Sequence, residues 1–220
     1  MIVQARWLGL LLLVVLVGYG VQAAQVFNPA GVTSASDYRP PWNSISPDGV
    51  CVLDVSLDRT GAVAGIDLLR ELPFLTDEVK SAVKTWKFRP ATDGIVSLPS
   101  HVLAVFFRPP VAGVLAVPPV PPFLPEVTTV GYVPPGITSF SYPEYPSNFA
   151  MPGSVVVQGA LGPDGNVSEW KVIRAFEPFT RFALEAAEKW RFRAATLDGQ
   201  PIVSNVVIDF MFRLPQSLER

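Results

Sequence analysis

The 220-residue chain contains one cysteine, Cys51, and one histidine, His101. A single thiol cannot form an intrachain disulfide, and with only one imidazole the multi-cysteine and paired-histidine metal sites are excluded. Charge is also scarce. Asp, Glu, Lys and Arg make up 16% of the residues and the formal net charge is -2, which excludes the basic stripe that nucleic-acid binding needs. No serine lies in a Gly-x-Ser-x-Gly frame. There is no glycine-rich phosphate loop either: "DGIVSLPS" (93–100) and "LDGQPIVS" (197–204) are turns leading into strands. Asp54, Asp58 and Asp67 flank one turn and read as solvated carboxylates. Cys51 reads as a buried small hydrophobe, and His101 as a histidine tucked into the core. The expectation is a chain without catalytic residues, cofactor or metal.

Apolar residues, at 49%, and proline, at 23 residues, are abundant. The first 24 residues carry one charge at Arg6, an apolar run "WLGLLLLVVLV", and the small-residue exit "GYGVQAAQ". This is the pattern of a signal peptide, with cleavage leaving Ala24 or Gln25 first; the alternative is a short uncleaved anchor. A spanning helix wants about 20 apolar residues, and Gly18 and Gly20 interrupt this run. Either way the rest of the chain is expected to be exported.

One phrase occurs twice: "KTWKFRPAT" (84–92) and "EKWRFRAAT" (188–196). Around it, Gly49 to Thr92 aligns with Gly153 to Thr196 without a gap, placing Gly61 on Gly165, Arg70 on Arg174 and Trp86 on Trp190. The chain reads as a duplicated unit of roughly 65 residues, the size of a small domain. Each copy opens with a strand of alternating apolar residues, turns at "DRTG" or "GPDG", and returns in a second strand. Gly61 and Gly165 stand where the turn needs a positive φ. An amphipathic helix follows: Leu75, Val79, Ala82, Val83 and Trp86 form one stripe, and Phe179, Phe182, Ala183, Ala186 and Trp190 the other. A long final strand closes each copy. The expected fold class is α+β, two tandem β-β-α-β units joined by a Pro-rich linker. The expected boundaries are residues 1–24 (signal or anchor), 25–46 (lead-in), 47–108 (first unit), 109–141 (linker), 142–215 (second unit) and 216–220 (tail).

The repeated phrase reads as structural, with Trp86 and Trp190 anchoring a helix on a sheet and Phe88 and Phe192 continuing that core. Strand, "PDG" turn, strand, helix ending in Trp-x-Phe-x-Pro-Ala, then a long strand: this order resembles the TonB C-terminal domain family. Trp86 through Ala91 matches that motif fully, including Pro90, while Ala194 replaces the proline in the second copy. Tyr145-Pro146 echoes the Tyr-Pro with which the family's domain begins. The resemblance implies an adaptor of the bacterial envelope, not an enzyme, located in the periplasm or, if the leader stays uncleaved, anchored in the inner membrane facing the periplasm, with envelope proteins as partners, among them outer-membrane TonB-dependent transporters. It implies capture of a partner strand beside the last strand of the sheet. The family's anchor carries a histidine for coupling to the ExbB–ExbD motor, and residues 7–21 contain none. The expected partner-binding edge is the second copy's last strand, through Val203, Asn205, Val207, Asp209, Met211 and Arg213, with Asn205, Asp209 and Arg213 on an outer face. The rival expectation is a structural envelope module whose two units pack together, without energy transduction. In the first copy's last strand both faces are apolar, Leu103, Val105 and Phe107 on one and Val102, Ala104 and Phe106 on the other. Such a strand is expected to be covered. N-terminal sequencing of the exported protein should read Ala24 or Gln25 first; an intact Met1 in the membrane fraction would establish the anchor instead.

Overall fold

A computed structural model describes residues 27–36, 49–108, 123–126, 131–144 and 151–212. The described residues form an α+β fold. The first half contains β1 (Gly31–Ser34), β2 (Gly49–Leu57), β3 (Val63–Arg70), α1 (Thr76–Val83), β4 (Lys87–Arg89), β5 (Ala91–Thr92), β6 (Ser97–Leu98) and β7 (Ser100–Arg108). The second half contains β8 (Tyr132–Val133), β9 (Gly136–Ser139), β10 (Gly153–Leu161), β11 (Val167–Arg174), α2 (Phe179–Ala187), β12 (Arg191–Arg193), β13 (Ala195–Leu197), β14 (Gln200–Ile202) and β15 (Ser204–Phe212).

The long strands join in one six-stranded sheet, ordered β11-β10-β15-β7-β2-β3. Its pairs are antiparallel except the central one, where β15 runs parallel to β7 from Val206 opposite Leu103 to Phe210 opposite Phe107. Both faces of this sheet are covered. Alternate residues of each central strand go to opposite cores, as the two-residue period of a strand requires. One core packs Val50, Val52, Leu103, Val105 and Phe107 with Phe179, Ala183 and Ala186 of α2. The other packs Cys51, Leu53, Val102, Ala104 and Phe106 with Val79 and Val83 of α1, and takes Val156, Val207 and Met211 from the second half. Each helix therefore covers strands of both halves.

This arrangement corrects the expected partner-binding edge. β15 is bonded to β10 on one side and to β7 on the other, so it has no free edge. Every residue of β15 is buried, Asp209 completely and Asn205 to 4% exposure. Asn205, Val207, Asp209 and Met211 occupy the face expected to meet water, because the α1 side of the first half is packed over it. Two strands buried on both faces satisfy burial and backbone pairing together by lying side by side. Val203 precedes β15 and is half-buried, while Arg213, Tyr145, Pro146 and residues 1–24 lie outside the described residues.

Parts of the lead-in and of the expected linker also differ from an extended chain. β1 pairs with β4, setting Gly31 opposite Arg89 and Val32 opposite Phe88. β9 pairs with β12, setting Gly136 opposite Arg193 and Ile137 opposite Phe192. β8 pairs with β13, and Phe123 bridges Ile137. Val32 and Ile137 are 3% exposed, so the short strands deliver core residues. The signal for them was the recurrence of "GVTS" (31–34) as "GITS" (136–139).

The repeated phrase forms a corner. Trp86 and Trp190 lie three residues beyond their helices, their backbone N–H groups donating to Val83 and Ala187 carbonyls at 3.0 Å. Gly61 and Gly165 have φ of +85° and +81°, and a Cβ on either would stand 2.7 Å from the carbonyl oxygen of Phe88 or Phe192. The turn glycine and the Trp-x-Phe phrase are thus in contact, and only glycine fits between them. The two corners differ in one bond: the Trp190 indole N–H donates to the Ser141 carbonyl at 3.0 Å, whereas the buried Trp86 indole N–H has no hydrogen-bond partner among the described residues. Trp86→Ala and Trp190→Ala should each cost about 3–5 kcal/mol, the range for emptying a buried aromatic site. Trp190→Phe should cost about 1 kcal/mol more than Trp86→Phe, since it alone breaks a hydrogen bond. Chemical denaturation of the four variants checks both.

Candidate functional site

The seam between the halves carries the polar groups of the buried sheet. Gln158 of β10 accepts the Val32 backbone N–H at 2.7 Å, and the Asn205 side chain donates to the Ala30 carbonyl at 2.7 Å. Two amides of the second half thereby hold the backbone of β1, a strand of the first. Burial makes such bonds matter, because an unmatched amide away from water costs about 1–3 kcal/mol. The alignment sets Gln158 opposite Asp54 of the first copy but does not reveal its bond; the signal for it is a long polar side chain interrupting the apolar "SVVVQGAL".

On the first half's side the seam holds a different set. His101 Nδ1 lies 2.9 Å from Asp54 Oδ2, and the imidazole stacks on Tyr132 with ring centroids 4.3 Å apart. Asp54 is fully buried, not a solvated turn residue, because it sits within β2 and points into the seam beneath His101. Asp58 and Asp67 are exposed as expected. Burial, and after it the Asp54 carboxylate, pushes the Tyr132 phenol well above its ordinary range, so it stays neutral. His101, Tyr132, Val203 and Ser204 border a cavity of about 310 Å³ whose other walls are mainly apolar.

The turns are rigidly built. The Asp58 carboxylate accepts from Thr60 N at 2.8 Å, Thr60 Oγ1 at 2.7 Å and Ala62 N at 3.0 Å, which holds its carboxyl below the usual carboxylate range. Asp164 does the same with the Asn166 side chain and backbone. These carboxylates shape turns and face no nucleophile or metal ligand. Among the described residues no group of three His, Cys, Asp or Glu side chains could hold a metal ion.

The six-stranded sheet ends in β3 on one side and β11 on the other. These two strands, and not β15, are where another strand could add. Together the observations define a class: an α+β sheet protein whose buried polar groups tie its own strands together and whose sheet ends in two unpaired edge strands among the described residues. Residues 138–214 match the family described as Gram-negative bacterial TonB protein C-terminal. The match begins inside β9 and ends just beyond β15. The match lies in the second half of the chain; the family it names is non-enzymatic, works through protein interactions in the bacterial envelope, and is periplasmic or anchored in the inner membrane. No curated protein and no solved structure matches the chain. Among the described residues no helix is long and apolar enough to cross a membrane.

Cys51 is fully buried on β2, and burial pushes its thiol up to about 11 against weaker opposing bonds from Thr76 and the Leu72 backbone. At pH 8 the thiolate fraction is then lower by roughly two orders of magnitude than for a free thiol. Iodoacetamide at pH 8 should therefore modify the native protein at least about 100-fold more slowly than the urea-unfolded chain. Mass spectrometry of timed samples checks this.

Proposed function

We propose that this chain is a non-enzymatic interaction protein of the bacterial envelope, built from two copies of a TonB C-terminal-like β-β-α-β unit, residues 47–108 and 142–215. The segment 109–141 joins them, and the chain is exported behind residues 1–24. The two copies use their last strands on each other. The observation that carries this reading is the parallel pairing of β15 with β7. The matching registers of β1 with β4 and of β9 with β12 support the duplication. Partner capture beside the last strand would need an edge that the other copy already fills, so the module serves as a scaffold for envelope partners and does not pull on a transporter through that strand. Outer-membrane TonB-dependent transporters remain within the class of partners that the family match suggests.

Proline scanning of β15 tests the reading, because an interior strand uses its N–H groups on both sides and tolerates no proline. Val207→Pro and Ile208→Pro should each abolish the cooperative thermal transition. In an edge strand, one of two adjacent prolines would leave the domain folded. A folded variant that had lost only envelope-partner capture would restore the last strand as the binding edge and overturn this proposal.

A further inference from the structure

The two ends of the sheet are unequal. β11 carries Ser168, Glu169 and Lys171 along its length, and charges on an edge strand guard against added strands. At the positions of Ser168, Glu169 and Trp170, β3 has Ala64, Gly65 and Ile66, with no charge until Asp67. No described residue pairs with the outer side of β3. Beside it runs an open groove of about 760 Å³, walled by residues 60–66 on one side and by the end of α1 with β4 on the other. The groove is lined by Lys80, Lys84 and Lys87 and by no carboxylate. None of the three lysines forms an ion pair among the described residues. In the second half the same positions hold Leu184, Glu188 and Arg191, so the uniform positive charge belongs to the first half alone. Trp86, whose buried indole N–H has no hydrogen-bond partner among the described residues, also lines this groove.

We infer that β3 and this groove bind an extended, acidic segment of a partner protein, which adds antiparallel or parallel to β3 as a seventh strand. The unguarded backbone of residues 63–66 supplies the ladder, and the lysine row selects acidic side chains on the groove side. The site lies outside the residues that match the TonB family. It rests on the interaction-protein reading above, and names where that interaction occurs.

The test uses the full exported chain, labelled with nitrogen-15, and two capped octapeptides: alternating valine and glutamate, and alternating valine and lysine. The glutamate peptide should shift the amide signals of Val63 to Asp67 and of Lys80, Lys84 and Lys87 in a saturable way. The lysine peptide should bind at least about tenfold more weakly, and the Lys84→Glu/Lys87→Glu double variant should weaken glutamate-peptide binding by at least about tenfold. Both lysines are exposed, and an unchanged circular-dichroism melt would show that the variant is folded. Absence of binding at about 1 mM peptide, a millimolar dissociation constant being the weak end of specific recognition, would overturn the inference. So would equal binding of both peptides, shifts confined to β11, or a dimer of the free chain with β3 amides protected at its interface. Any of these leaves the scaffold reading intact, whereas shifts along β15 would overturn that reading as well.

Discussion

The parallel pairing of β15 with β7 is the constraint on which the rest of the molecule depends. Five residue pairs, from Val206–Leu103 to Phe210–Phe107, join two three-stranded pieces into one sheet. Parallel neighbours are found where both faces are covered, and both are covered here. Corresponding residues of the two parallel strands face opposite cores, Phe106 of β7 the α1 side and Phe210 of β15 the α2 side. In consequence α1 lies over one face and α2 over the other, and each core draws on both halves. Separating the halves would expose both cores at once.

That coupling explains the buried polar groups. A central strand buried on both faces has no solvent side on which to place Asn205, Asp209 or Asp54. Their partners must come from the opposite half or from a neighbouring strand. Asn205 and Gln158 find theirs on the backbone of β1, and Asp54 finds His101. Such bonds add less net stability than they cost if broken, so their effect is to fix register and relative placement. The amide clamp on β1 and the Asp54–His101 pair occupy corresponding places in the two halves yet use different chemistry. Gln158 stands where the first half has Asp54, and Asn205, opposite Ala160, where it has His101, opposite Ser56. The halves have diverged at the seam while keeping the same corner at Trp86 and Trp190.

The corner shows how small a shared feature can be and still set a unit's geometry. A glycine with positive φ approaches the carbonyl of Phe88 or Phe192, and the tryptophan just before that phenylalanine ends the helix on the sheet. Turn, helix end and short strand are locked by one contact that side chains larger than hydrogen would forbid. The indole of Trp86, without a hydrogen-bond partner among the described residues, lies in the half that carries the open lysine groove, and its bonded counterpart Trp190 in the half whose corresponding edge is guarded.

Much of this was legible in the sequence because it is local. Alternation gave β2 and β10, the 3.6-residue period gave α1 and α2, and the doubled Trp-x-Phe-Arg phrase aligned them. The glycines of the two turns declared their own backbone angles. The apolar character of β7 on both faces announced that something covers it. What no local pattern could say is which strand lies beside which. Asn205 and Asp209 break the outer face of β15 just as solvent-facing residues do, because hydrogen-bonding capacity looks the same in sequence whether water or another chain segment satisfies it. Only the tertiary structure decided that the satisfying groups are the protein's own, and so moved the free edge from β15 to β3 and β11.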